Sequence, residues 1–106
     1  TAGLLSRNGV LTAVTTDHPV SKIQFLPICA GLAVKEGMSM EDGFRAITIN
    51  AAKICGVDNR VGSLATGKDG DVAIFTGNPM EVFTKTLCTI VEGKIIYYDE
   101  QSQLLW

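Results

Sequence analysis

The fold class of this chain is decided by one stretch, Val10-Leu11-Thr12-Ala13-Val14-Thr15-Thr16-Asp17-His18-Pro19. Its first seven residues are uncharged and mostly β-branched, which is typical of a strand buried on both faces of a parallel sheet. The residue before a proline avoids the α region, so the chain is expected to turn at His18. The sequence therefore predicts an α/β fold with a carboxylate, Asp17, at the carboxyl end of a buried strand.

Two helices are predicted after this strand. The first runs from Ile23 or Leu26 to Glu36, and apolar residues cover so much of its circumference that we expect it to be largely buried. The second begins at Ser39, a good N-cap residue, and ends at Gly56. Both helices belong to the first of two predicted structural units, residues 1–56.

Short strands are predicted in the second unit, residues 57–106, where glycines become frequent. One strand spans residues 72–75, and a hairpin pairs residues 87–91 with 94–98 through a turn at Glu92-Gly93. These strands are too few to close a barrel, and their edges are open. We therefore expect partner strands from an absent part of the chain or from a second copy.

Charge and cysteine content narrow the functional classes. The chain has 9 basic and 11 acidic residues, and the resulting net charge of −2 argues against nucleic acid and anionic membranes as main partners. Its 3 cysteines are widely spaced and form no CxxC pair, as expected of reduced thiols in a cytoplasmic protein. No apolar run is long enough to cross a membrane.

Asp17 and His18 are the candidate site residues. A carboxylate at the end of a parallel strand lies where α/β folds place their active sites, and there it can bind a metal or accept a proton. On position alone, a cap of the turn before Pro19 is the favoured interpretation of Asp17, and the functional role is the alternative. His18 is the only histidine, so one chain cannot form a zinc site from two or three histidines. It is either a ligand-binding residue beside Asp17 or an exposed turn residue.

The order of several motifs resembles the C-terminal part of the metal-dependent amidohydrolase superfamily, in its imidazolonepropionase-like branch. The similar segments lie between residues 9 and 98 and include Thr15-Thr16-Asp17-His18-Pro19, Leu32-Ala33-Val34-Lys35-Glu36-Gly37-Met38-Ser39, Phe44-Arg45-Ala46-Ile47-Thr48-Ile49-Asn50-Ala51-Ala52-Lys53, Gly62-Ser63-Leu64-Ala65-Thr66-Gly67-Lys68-Asp69-Gly70-Asp71, Asn78-Pro79 and Val91-Glu92-Gly93-Lys94. Any one of these segments alone would be a weak signal, whereas their unbroken order is specific.

The resemblance implies a fold and an activity. Residues 10–16 would be the last strand of a (β/α)₈ barrel, residues 40–55 an outer helix, and residues from about 60 onward part of a small β-sandwich. Asp17 would bind the catalytic metal, Zn²⁺ or another divalent ion, and transfer the proton of the attacking water. From its position beside Asp17, we expect His18 to bind the substrate. The reaction implied is hydrolysis of a carbon–nitrogen bond in a small cyclic amide.

The family's other metal ligands have no counterpart in this sequence. We therefore expect a C-terminal fragment that holds no stable metal and is inactive alone, whereas the parent enzyme is a cytoplasmic homo-oligomer. The chain is also too short for a complete barrel, which needs about 250 residues. The alternative from another class is a stand-alone assembly module that completes a β-sheet in a second chain. A third interpretation is that the chain is a degenerate remnant of such an enzyme and has no activity.

Overall fold

A computed structural model of the chain describes residues 1–99, and the end of the predicted second unit, residues 100–106, lies outside the described residues. Within residues 1–99, short helices come first and a three-stranded sheet follows. In chain order the elements are α1 (Ala2–Arg7), a 3₁₀ helix (Ile23–Phe25), α2 (Leu26–Lys35), α3 (Met40–Ala46), α4 (Ile49–Cys55), β1 (Val72–Phe75), β2 (Thr86–Val91) and β3 (Lys94–Tyr98).

The predicted boundaries of the second helical region are confirmed at both ends. The Ser39 hydroxyl accepts a hydrogen bond from the backbone N–H of Asp42 at 3.1 Å, which satisfies a donor that the helix itself leaves unpaired. At the other end, Gly56 adopts the left-handed conformation with φ 76°, which glycine reaches without the steric penalty of a Cβ. Local sequence signals thus define where this region begins and ends.

The region between these caps is two helices, so the prediction of a single helix is wrong. The chain leaves helical geometry at Thr48, whose backbone has φ −130° and ψ −101°. The Thr48 hydroxyl donates to the carbonyl of Phe44 at 2.7 Å, a side-chain contact that commonly accompanies helix distortion. As a result α3 and α4 each have 7 residues and meet at a bend.

The strand predicted over residues 10–16 is also wrong for this chain, because the segment lies outside helix and strand. Its long-range polar contacts go to helices: the N–H of Val14 donates to the carbonyl of Ala46 at 3.0 Å. A β-strand needs a neighbouring strand to satisfy its backbone, and β1, β2 and β3 pair only with one another among residues 1–99. The segment therefore packs one side on α3 and α4.

Burial in the helical part is lower than the sequence predicts. Leu11 is 49% exposed and Leu32 on α2 is 58% exposed, although both were expected inside. Ala30 is the only fully buried residue of α2, so the expectation of a largely buried helix is wrong. Most residues of α2 are half-buried, and Leu32 and Lys35 are exposed.

The sheet agrees closely with the sequence. Its order is β1–β2–β3, with both neighbouring pairs antiparallel. The β2–β3 turn has Glu92 at φ 51° and Gly93 at φ 77°, the paired positive φ values of a type I′ hairpin. The predicted hairpin is therefore confirmed. Every residue of β3 is exposed, and its outer edge pairs with no other strand of residues 1–99.

The hydrophobic core is small and lies at several separate points. Met80, in the loop after β1, packs against the backbone of α2 at Gly31 and lies close to Gly43 of α3. Buried apolar residues are mostly small or slender, and no large side chain among residues 1–99 is completely buried. The radius of gyration, 14.5 Å, exceeds the roughly 13 Å of a compact domain of about this length.

Candidate active site

Asp17 lies in a tight turn directly after the segment 10–16. Its backbone adopts φ 51°, the left-handed region that aspartate tolerates better than most residues. The Asp17 N–H donates to the Thr15 hydroxyl at 3.2 Å, and the Asp17 carbonyl accepts from the N–H of Val20 at 2.8 Å. The sequence predicted a turn here, and the backbone at Asp17 is held on both sides by these contacts.

The base of the turn is anchored by the residue before Asp17. Thr16 is 7% exposed, and its carbonyl accepts a hydrogen bond from the N–H of Ser21 at 3.1 Å. Asp17 itself is exposed, and its carboxylate has no hydrogen-bond or ion-pair partner among residues 1–99. A buried residue therefore fixes the base of the turn, while the residue that carries the adjacent carboxylate is exposed.

His18 is exposed beside Asp17, but one of its ring nitrogens is engaged. Nδ1 accepts a hydrogen bond from the backbone N–H of Ile23, the first residue of the 3₁₀ helix, at 3.1 Å. Nε2 has no hydrogen-bond partner within the described part of the chain. The peptide bond to Pro19 is cis. The two predicted site residues are thus neighbours on one turn, and the Asp17 carboxylate and Nε2 of His18 have no partner among residues 1–99.

The donor set at this turn does not make a metal site by itself. Among residues 1–99 there is no group of three or more His, Cys, Asp and Glu side chains placed to hold a metal ion. Zinc sites in proteins have at least three side-chain ligands. The residues present therefore do not fit a complete metal centre, and Asp17 offers one oxygen ligand.

The candidate site residues lie outside the apolar groove of the structure. A groove of about 610 Å³ lies between α4 and β1, with mostly apolar walls formed by residues such as Ile47, Ala51, Val57, Val61, Leu64 and Phe75. Asp17 and His18 do not line it.

Within residues 1–99, no helix has the length and hydrophobicity that a membrane span requires.

Asn50 is a residue that the sequence reasoning missed. Its side-chain amide donates to the carbonyl of Thr12 at 3.1 Å, a half-buried contact between α4 and the segment that leads to Asp17. Asparagine is unfavourable inside a helix because it competes for backbone hydrogen bonds. A polar residue of low helix propensity within an apolar helical repeat was therefore the signal that could have identified it.

Comparisons with known proteins give a consistent result. The sequence model described as the amidohydrolase family matches residues 2–96. A probable imidazolonepropionase of Xenopus laevis is 31% identical over 106 residues, which covers 91% of this chain. An imidazolonepropionase of Alkaliphilus metalliredigens is 39% identical over 72 residues, or 63% of this chain.

A solved structure is similar in fold as well as in sequence. The crystal structure of an amidohydrolase from Thermotoga maritima superposes with a TM-score of 0.86 at 30% identity and covers 93% of this chain. The chain spans 27% of that structure, and 24% and 17% of the two relatives. The family match covers most of the described residues, so this chain belongs to the amidohydrolase family.

Proposed function

We propose that Asp17 is a catalytic residue of a metal-dependent amidohydrolase that hydrolyses a carbon–nitrogen bond in a small cyclic amide. The similar proteins named imidazolonepropionase support this reaction class, and imidazolonepropionate is the substrate to test first. His18 is the accompanying substrate-binding residue.

The observation that carries this proposal is the free carboxylate of Asp17. It is exposed on a turn whose backbone is fixed by the Thr15 hydroxyl and the N–H of Val20, and it has no partner among residues 1–99. A residue that only caps a turn uses its side chain to accept a backbone hydrogen bond. Here the backbone of Asp17 makes the contacts of the turn, which leaves its carboxylate available for chemistry.

Asp17 is suited to two tasks. As an ionised carboxylate it is an oxygen ligand for a divalent cation such as Zn²⁺, and it can also accept a proton from an attacking water. A bound cation supplies activation of water at neutral pH. We propose that the remaining ligands come from polypeptide outside these 106 residues, and that the chain alone therefore binds no metal stably and is inactive.

The incomplete packing supports a composite architecture. Residues 1–56 would form the last part of a (β/α)₈ barrel, and residues 57–106 would form part of a small β-sandwich. Leu11 and Leu32 are about half exposed or more, and β3 is exposed along its whole length, so each unit has apolar surface that additional polypeptide would bury. Further barrel strands beside residues 10–16 would convert that segment into the strand that its sequence favours.

We also propose that the complete enzyme is a cytoplasmic homo-oligomer that acts on a small molecule and binds neither nucleic acid nor membranes. The net charge of −2 supports the absence of nucleic-acid and membrane partners. Free Cys29 and Cys88, which are half-buried and buried, agree with a reducing compartment.

A second candidate function is a strand-mediated assembly module without catalysis. The exposed β3, with Ile95 51% and Ile96 64% exposed, favours it because an exposed apolar strand can pair with a strand from another chain. The denatured mass of the natural gene product separates the two candidates. A barrel with its small domain predicts roughly 30 kDa or more, whereas 11.3 kDa would favour the assembly module.

The catalytic proposal is tested with the natural gene product purified from its source. We expect it to hydrolyse imidazolonepropionate, to lose this activity after treatment with a chelator, and to recover it when Zn²⁺ is returned. Dialysis without a chelator is the matched control. Absence of hydrolysis, or hydrolysis that survives complete removal of divalent metal, would overturn the proposal.

A further inference from the structure

We propose that the backbone N–H of Ile23 holds His18 in the tautomer whose proton is on Nε2, and that His18 thereby donates a hydrogen bond to an acceptor oxygen of the ligand. This inference rests on the proposed function, because it assigns the ligand to the surface beside Asp17. It adds three points to that function: which ring nitrogen of His18 contacts the ligand, whether that nitrogen donates or accepts a hydrogen bond, and which backbone group determines the tautomer.

The direction of the hydrogen bond fixes the tautomer. A neutral imidazole has one nitrogen that donates and one that accepts. A backbone N–H can only donate, and the N–H of Ile23 points at Nδ1 of His18 at 3.1 Å. Nδ1 must therefore be the nitrogen without a proton, which leaves the proton on Nε2.

The backbone N–H of Ile23 is available to orient the imidazole ring of His18. Ile23 is the first residue of the 3₁₀ helix, where backbone N–H groups lack partners within the helix. The Ile23 N–H makes no other hydrogen bond among residues 1–99. Nδ1 of His18 is therefore the hydrogen-bond acceptor for the Ile23 N–H. The same hydrogen bond orients the imidazole ring next to Asp17.

The tautomer determines what His18 can do. A protonated Nε2 has no lone pair in the ring plane, so in this state it neither binds a metal nor accepts a proton from water. It can donate to a carbonyl or carboxylate oxygen. Asp17 and His18 thus present opposite polarities on one turn: an acceptor that suits a cation or a proton, and a donor that suits a substrate oxygen.

The Nε2 donor of His18 determines which ligands can bind beside it. A fixed donor rejects ligands that place a donor or an apolar group against it, because the N–H would lose its partner on binding. The ligand class is therefore a small amide or acid with an acceptor oxygen within reach of Nε2. Both the ring carbonyl and the side-chain carboxylate of imidazolonepropionate have this chemistry.

The tautomer is tested on the natural gene product, in which the ring signals of His18 are identified as those that His18→Gln removes. The protein is labelled with ¹⁵N-histidine, and the two ring nitrogens are observed by NMR at alkaline pH, where a histidine ring is neutral. We expect an unprotonated Nδ1 and a protonated Nε2. A predominantly protonated Nδ1 would overturn the inference.

The role of Ile23 is tested by Ile23→Pro, which removes the N–H and keeps the backbone. Proline suits the first position of a helix, and the preceding Lys22 has φ −69° and ψ 137°, the conformation that a residue before proline prefers. We expect the ring to shift towards the tautomer mixture of a free imidazole. Ile23→Val retains the N–H and should match the unmodified protein. An unchanged spectrum in Ile23→Pro would contradict the assignment.

The ligand contact is tested in the natural gene product with imidazolonepropionate as the probe. We expect His18→Ala to raise KM about tenfold and to change kcat little, since a hydrogen bond made equally in ground and transition states affects binding alone. His18→Gln, which retains an N–H donor, should recover most of the loss. A KM unchanged in His18→Ala would overturn the ligand contact.

A truncated probe, the imidazolone ring without its propionate, identifies which substrate oxygen accepts the hydrogen bond from His18. If His18→Ala still raises KM for this probe, the ring carbonyl is the acceptor, and if the effect is lost, the carboxylate is. Both results support a donor role for His18. Failure of the proposed function is recognised separately, because absence of hydrolysis by the unmodified gene product leaves the NMR result untouched.

Discussion

The side-chain amide of Asn50 donates to the carbonyl of Thr12 at 3.1 Å, across 38 positions of the chain. Together with the hydrogen bond from Val14 N–H to the Ala46 carbonyl, at 3.0 Å, it attaches the segment before Asp17 to α3 and α4. The placement of the candidate site therefore depends on a helix residue far from it in sequence.

Replacing Asn50 tests this attachment. We expect Asn50→Ala to lower the free energy of unfolding by about 1 to 2 kcal/mol, because the half-buried Thr12 carbonyl loses its partner. Urea unfolding measures the effect. Asn59→Ala, at an exposed position, is the control and should change stability by less than about 0.5 kcal/mol. Equal stability of the two variants would show that the contact contributes nothing.

The start of α3 gives a second prediction. Ser39→Ala should cost about 1 kcal/mol of stability, because the Asp42 N–H loses the Ser39 hydroxyl that accepts from it at 3.1 Å. Ser21→Ala is the matched control, since the exposed Ser21 contributes only its backbone N–H to the turn at Asp17. A stability loss of the same size in both variants would contradict the assigned cap.

The contact between α2 and α3 requires a glycine. A Cβ at Gly43 would lie 2.6 Å from Cγ2 of Val34, closer than atoms pack without a shift. We therefore expect Gly43→Ala to destabilise the chain by about 1 to 3 kcal/mol, despite the better helix propensity of alanine. In thermal and urea unfolding, adding Val34→Ala should cost less in this background than in the unmodified chain. Strict additivity of the two changes would refute the clash.

The hairpin turn predicts a stabilising change. Glu92 has φ 51°, a conformation that costs most residues roughly 1 to 2 kcal/mol and that asparagine tolerates better. We expect Glu92→Asn to raise stability by about 0.5 kcal/mol or more, and Gly93→Ala, at φ 77°, to lower it by about 1 kcal/mol. Unfolding midpoints that move in the opposite directions would contradict the type I′ assignment.

The sequence predicted the caps and the hairpin turn correctly, but it predicted neither the break in the helix at Thr48 nor the long-range contacts. The hairpin through Glu92 and Gly93, the Ser39 cap and the Gly56 cap each depend on a few adjacent residues, and all of them are present. The predicted strand over residues 10–16 depends on partners in other parts of a sheet. Its composition favours a strand, yet without a neighbouring strand among residues 1–99 its backbone binds helices instead.

The candidate site was also predicted only in part from the sequence. The sequence placed Asp17 and His18 together on a turn, because the proline that follows them restricts the backbone. It did not reveal that Nδ1 of His18 accepts from the N–H of Ile23, because the sequence pattern does not give the orientation of the ring within the turn. It also did not reveal that Asn50 anchors the preceding segment, because that contact spans 38 positions of the chain and is set by tertiary structure. The match over residues 2–96 shows the family, and substitution of Asp17 tests its proposed role.

The measurement that tests the central claim most directly is the rate of imidazolonepropionate hydrolysis by the natural gene product carrying Asp17→Asn. Amide and carboxylate have nearly the same size, so the turn should persist while the charge and the proton acceptor are lost. We predict a fall in kcat of about 10²-fold or more, with folding unchanged. Asp58→Asn removes a carboxylate that has no hydrogen-bond or ion-pair partner among residues 1–99, and it should leave the rate unchanged. A near-normal rate in Asp17→Asn would contradict the catalytic role of Asp17.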